Sequence, residues 1–149
     1  MTEQSEQFQP PEDDPNIPDD EILFRRLSYD GGAWVAIRKD TGARRPSSAG
    51  FDPDTDGLSV FRQAVLLAQD PPLGPADVGE IVAGFTVADV RSLRLGVKDD
   101  PWPKDVQDPD HPRYAAHALI TGLVELGRSP RRRRQKELVE VPSMRIVHG

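Results

Sequence analysis

Tyr114-Ala115-Ala116-His117-Ala118-Leu119-Ile120-Thr121-Gly122-Leu123-Val124-Glu125-Leu126 is the most apolar stretch of the chain, and its reading decides the fold. So much apolar surface has to be buried. Periodicity alone does not choose between a buried helix and a strand covered on both faces. Gly122 interrupts the run and favours a strand over 116–121, and Gly127 ends it. A strand here needs partners, and the flanking sequence offers short candidates rather than long helices.

Upstream lies a polar loop at 98–113, with four prolines and five aspartates. That composition forbids a core element. Before it, Thr86-Val87-Ala88-Asp89 reads as a helix start, with Thr86 as N-cap and Asp89 at the third helical position. Val87, Val90 and Leu93 continue that short helix, Gly96 suits a left-handed exit, and Leu95 and Val97 enter a strand. Residues 78–85 fit a helix or a strand. Phe61–Gln69 reads as a helix with Leu58 one turn back, stopped by Pro71-Pro72. Residues 43–57 are irregular. Ile22–Leu27 and Trp34–Arg38 read as strands around Asp30-Gly31-Gly32 and predict a hairpin. Downstream, Leu138–Val141 and Met144–Val147 predict two edge strands that pair.

Charge divides the 149 residues into three parts. Residues 1–20 hold seven acids (Glu3, Glu6, Glu12, Asp13, Asp14, Asp19, Asp20) and no Lys or Arg. Residues 128–149 hold seven bases against Glu137 and Glu140. The formal total of -6 therefore hides oppositely charged ends. The expected architecture is a single small α+β domain at 19–127, with a mixed or antiparallel sheet and two or three short helices. It is flanked by a disordered acidic tail at 1–18 and a basic extension at 128–149. The acidic tail is read as solvated, with shielding of the chain's own Arg run as the alternative. No Cys is present, which excludes disulfides, thiolate metal sites and a cysteine nucleophile. The acidic N-terminus does not read as a secretory signal, and no apolar run has the length of a membrane span. A soluble cytoplasmic protein with no membrane contact is the expectation.

Several residues invite chemistry. Arg44, Arg45, Ser47 and Ser48 in Arg-Arg-Pro-Ser-Ser pair guanidinium forks with hydroxyls, a combination that suits an anion. The competing reading is a surface turn whose serines bond their own backbone. Asp99, Asp100, Asp105, Asp108 and Asp110, with His111 and His117, raise a metal site, but their spacing matches no metal motif, so none is assigned. His117 with Ser47 or Ser48 and a loop Asp would make a hydrolytic triad, although no nucleophile elbow is present; a buried, hydrogen-bonded His117 is preferred. Arg131-Arg132-Arg133-Arg134 suits phosphates or an acidic partner. Trp102 between Pro101 and Pro103 is either a partner anchor or a lid on the core, the lid being favoured.

Leu23-Phe24-Arg25-Arg26-Leu27, Arg45-Pro46-Ser47-Ser48-Ala49-Gly50-Phe51, Leu58-Ser59-Val60 and His117-Ala118-Leu119-Ile120 with Gly122 resemble a pattern in short, mostly actinobacterial proteins of unknown function. That resemblance spans roughly 19–122 and implies a recurrent domain without naming a reaction. A fainter similarity reaches the ADP-ribosyltransferase fold, including RES-type toxins. It implies Arg25 or Arg26 and one of Ser47, Ser48 and Ser59 around a nucleotide. The pattern departs from that family where a catalytic Glu is needed; Glu80 and Glu125 stand in no matching motif.

The expected function is a non-catalytic accessory or protein-interaction module, with no cofactor and a protein partner. An ADP-ribosyltransferase-like nucleotide-binding enzyme or inactive relative is the alternative. A nucleic-acid-associated protein acting through Arg131–Arg134 is the second.

Overall fold

The computed structural model describes residues 10–27, 35–37, 40–101 and 112–149. Its strands are β1 (Ile22–Leu27), β2 (Val35–Ile37), β3 (Arg44–Pro46), β4 (Leu58–Arg62), β5 (Ile81–Thr86), β6 (Gly96–Asp99), β7 (His117–Thr121) and β8 (Arg145–His148). Its α-helices are α1 (Gln63–Leu67), α2 (Val87–Ser92) and α3 (Arg128–Val139). Three 3-10 turns lie at Ser48–Phe51, Pro75–Asp77 and Pro112–Ala116.

Six strands form one antiparallel sheet in the order β6-β7-β4-β1-β5-β8, and β2 pairs with β3 apart from it. The chain is an α+β fold, as the alternation of short strands and helices predicted. The apolar run at 114–126 supplies β7, second from one edge. All five β7 residues are buried. A strand covered on both faces has no polar face to alternate with, which is why its sequence did not distinguish it from a helix.

Alternation sorts side chains onto two faces. Leu23 and Leu27 of β1, Leu58 and Val60 of β4, and Ala118 and Ile120 of β7 enter one cluster. Phe51, Val87 and Val90 of α2, and Leu138 of α3 cover it. Phe24 and Phe61 face the other way and meet Leu66, Leu73, Val78 and Ala116. Phe51 and Phe85 pack edge to face at 5.8 Å.

The structure departs from the sequence reading at several places. β1 pairs with β4 and β5, not with β2, so the expected hairpin does not form. Phe61 and Arg62 belong to β4, and the helix after them is only Gln63–Leu67. Of the two readings open for 78–85, the strand is the one that forms, over 81–86. The Thr86 cap forms, with the Asp89 amide donating to its hydroxyl at 3.2 Å, but Arg94, at φ 60°, takes the left-handed exit and Gly96 opens β6. Leu138 and Val139 end a helix instead of making a strand, and only β8 forms at that end, paired with β5.

The basic extension is thus part of the domain. Pro130 stands in the first turn of α3, where its missing N–H costs nothing. The inward stripe of α3 is Arg131, Arg134, Gln135 and Leu138. The spacing is helical but three of the four residues are polar, so no apolar periodicity advertised it. The acidic segment differs from expectation in the same way. Ile17 is 1% exposed within the core. The Asp14 amide donates to Val97 O at 2.8 Å, and the Asp13 carboxylate accepts from the Val97 amide at 3.0 Å. Residues 10–18 are therefore part of the domain, with 12–14 lying along β6; 1–9 fall outside the described residues.

Candidate functional site

The acidic segment does not shield the Arg run through its described residues. Glu12 pairs with Lys98 at 3.1 Å, Asp13 and Asp19 pair with Arg91 at 3.1 and 2.7 Å, and Glu21 pairs with Arg62. These pairs leave the face of α3 to other partners.

That face borders a cavity of about 400 Å³ lined by Ser48, Ala49, Asp52, Arg128, Arg131, Arg132 and Gln135. Two parts of the chain build it. The 3-10 turn at Ser48–Phe51 is anchored by Phe51, which is fully buried. α3 is anchored by Leu138, likewise fully buried. Gln135 ties them together: its amide donates to Phe51 O at 2.8 Å and to the Asp52 carboxylate at 3.3 Å. The cavity wall thus carries three guanidinium groups, one carboxylate, a hydroxyl and an amide. Such an array favours an anion, since guanidinium forks bind carboxylate or phosphate in two-point geometry.

The sequence placed Ser48 and the Arg run in separate candidate sites, 83 positions apart at Ser48 and Arg131. The fold brings Ser48, Arg131 and Arg132 to one wall and adds Arg128, Asp52 and Gln135. Arg134 instead pairs with Glu137 at 3.6 Å, and Arg133 is exposed.

The remaining anion candidates do not gather there. Arg44 donates to Gly149 O. Arg45 is exposed on β3, and the Ser47 carbonyl accepts from the Gly50 amide at 3.0 Å. Arg26 is exposed and lays its aliphatic stem against Gly79, where a Cβ would overlap it. Arg25 turns inward. Its guanidinium donates to Gly50 O and to Ser59 O, both at 2.9 Å. Burial pulls the Arg25 pKa down to about 10.

Ser59 faces away from Arg25. It alternates with Leu58 and Val60, so its hydroxyl leaves the sheet on the Phe61 side and hydrogen-bonds His117 Nε2. Arg25 leaves with Leu23 and Leu27 on the opposite side. The Arg25–Ser59 pairing that the ADP-ribosyltransferase similarity implies is therefore split across the sheet. His117 is 1% exposed; its Nδ1 lies 2.8 Å from Asp100 O and 3.2 Å from the Asp100 carboxylate. Burial lowers its pKa below the ordinary histidine value, against the opposing pull of Asp100. Ser59, and not Ser47 or Ser48, is the serine that meets His117. Sequence alternation in Leu58-Ser59-Val60 shows that Ser59 faces away from its neighbours, but only the β4–β7 register brings it to His117.

Trp102, read as a lid on the core or a partner anchor, and Asp105, Asp108, Asp110 and His111 lie outside the described residues. Among the described residues no three His, Asp or Glu side chains gather as a metal site, and no helix is long and apolar enough to cross a membrane. Comparison of the chain with protein-family models, with curated proteins and with solved structures gives no match.

Proposed function

We propose that this protein is a binding module that seats an acidic segment of a partner protein in the cavity between the Ser48–Phe51 turn and α3. The observation that carries this reading is the convergence of Arg128, Arg131 and Arg132 with Ser48 and Gln135 on one wall. Carboxylates of a peptide would meet guanidinium forks there, and the Ser48 hydroxyl would add a hydrogen bond, while Gln135 Nε2 stays committed to Phe51 O and Asp52. Asp52, held by Gln135, keeps the wall from being uniformly basic and so favours a ligand with donors as well as acceptors. A peptide has backbone N–H groups to offer.

Nucleic acid is the weaker reading of the same arginines. Sequence-independent nucleic-acid binding wants an extended basic track, with aromatic rings where the strand is single. This wall is concave, its lining holds no aromatic side chain, and the chain is acidic overall.

Fluorescence anisotropy with a labelled acidic decapeptide tests the assignment, with a labelled single-stranded RNA of equal charge as the comparison. Saturable peptide binding that weakens with salt and disappears in Arg131→Ala/Arg132→Ala supports it. Tighter RNA binding through the same arginines would transfer the site to nucleic acid. Peptide binding unchanged in the double variant would remove the site altogether.

A further inference from the structure

On the face of the sheet opposite the basic cavity, Ser59, His117 and Asp100 stand in sequence. We propose that Ser59 is an activated nucleophile, with His117 as its general base and Asp100 as the group that orients the ring, and that it accepts an acyl group from a carboxylic ester. The inference is independent of the peptide-binding cavity.

The assignment starts from the histidine. Nδ1 faces two acceptors, the carbonyl and the carboxylate of Asp100, at 2.8 and 3.2 Å. A ring nitrogen between two acceptors carries the proton. Nε2 of the neutral ring then presents its lone pair, and the group in front of it is the Ser59 hydroxyl. The hydroxyl donates and the imidazole accepts, which is the direction a general base requires. Burial of the ring holds it neutral, and the Phe61 ring packs edge-on against it at 5.6 Å, limiting its rotation.

The serine is equally constrained. Its backbone carbonyl accepts from Arg25, and β4 is paired with β7 through Leu58↔Ile120, Ser59↔Leu119, Val60↔Ala118 and Phe61↔His117. Nucleophile and base therefore sit on adjacent strands of one sheet, a more rigid support than two loops would provide. Ser59 is a part-exposed residue, whereas His117 is buried.

The chemistry balances without any cofactor. Ser59 Oγ attacks the ester carbonyl carbon as its proton passes to His117 Nε2. The tetrahedral intermediate expels the alcohol oxygen, which takes that proton from Nε2. Water then attacks acyl-Ser59, again losing a proton to Nε2, and the carboxylic acid departs as Ser59 Oγ is reprotonated.

A biotinylated alkyl fluorophosphonate, applied to the full chain, tests this with intact mass and peptide mapping as readouts. Phosphonylation with loss of fluoride is expected at Ser59 and not in Ser59→Ala. His117→Gln, which keeps a polar side chain but no basic nitrogen, should lower the labelling rate by about a hundredfold. Melting curves confirm that each variant is folded. If His117→Gln does not fold, Asp100→Asn replaces it, and a several-fold slower rate is the expected result. No adduct on the wild-type chain, an adduct on another serine, or an unchanged rate in the folded variant would overturn the proposal.

Discussion

Arg62 and Glu21 form a two-point ion pair at the end of β4, with Nε to Oε2 at 2.6 Å and Nη2 to Oε1 at 2.9 Å. The Glu21 side chain is 4% exposed and that of Arg62 is 16% exposed. Asp99 approaches the same guanidinium at 3.4 Å. The hydrogen bonding of the guanidinium to Glu21 is the largest of the influences that hold the Arg62 pKa above its ordinary value. The pair joins the chain just before β1 to the last residue of β4, so it closes the end of the sheet where those strands are in register.

Removing Glu21 leaves the part-buried Arg62 guanidinium with the longer contact to Asp99 in place of its two-point partner. Glu21→Ala should cost about 3 kcal/mol of stability, and a Glu21→Leu/Arg62→Met double variant should recover much of that loss. Urea denaturation of the three chains measures both. Equal stability of the single variant and the wild type would mean that solvent reaches the pair.

His117 predicts a pH dependence. Its folded pKa lies below the unfolded value near 6.5, because burial disfavours the charged ring. In the window below 6.5 the unfolded chain binds a proton that the folded chain refuses. The contribution is therefore complete above that value and is lost as pH falls toward the folded pKa. Thermal unfolding at pH 7.5 and pH 5.5 should show a smaller acid-side drop for His117→Gln than for the wild type, the carboxylates contributing equally to both.

Arg25 holds two carbonyls with one planar group. Lysine cannot reproduce that fork. Arg25→Lys should destabilise by about 1–2 kcal/mol through the weakened bonds to Gly50 O and Ser59 O. The same variant should slow fluorophosphonate labelling of Ser59 by loosening β4, and it should also weaken acidic-peptide binding, because Gly50 belongs to the Ser48–Phe51 turn. Melting curves separate these losses from general unfolding.

Gln135 is a buried amide whose partners are the Phe51 carbonyl and Asp52. Gln135→Ala should cost about 2 kcal/mol, because it leaves a buried acceptor unmet. Peptide binding should weaken with it, since the Ser48–Phe51 turn loses its tie to α3. Calorimetry and anisotropy on the same preparation separate the two effects.

Gly96 stands where the acidic segment crosses β6, and a Cβ there would overlap the Glu12 carbonyl. Gly96→Ala should lift residues 10–14 from the sheet. Faster amide exchange at Asp14, whose N–H bonds Val97 O, is the expected sign.

Local chemistry made some of this readable in the sequence. Ile22–Leu27 is a strand over the residues expected, the Thr86 hydroxyl caps the helix it was expected to cap, and Pro71-Pro72 lies beyond the end of α1. Each follows from propensities and hydrogen bonds that act over a few residues. The candidate site was readable only in pieces: Ser48 and the arginines were singled out, but not their meeting.

Four decisions belong to the tertiary structure alone. The run at 117–121 is a strand because neighbours cover both its faces, and a segment without a polar face carries no period to announce it. The stripe of α3 turns inward because Phe51 O and Asp52 offer polar partners to Gln135 and the core takes Leu138. Residues 10–18 are ordered because Ile17 finds the core and the acids find Arg91 and Lys98, a gain that composition does not record. Ser59 meets His117 because β4 and β7 pair in one register. The sequence determined which residues carry charge, hydroxyl and imidazole; long-range packing decided which of them touch, since contacts between distant positions depend on every strand and turn that lies between them.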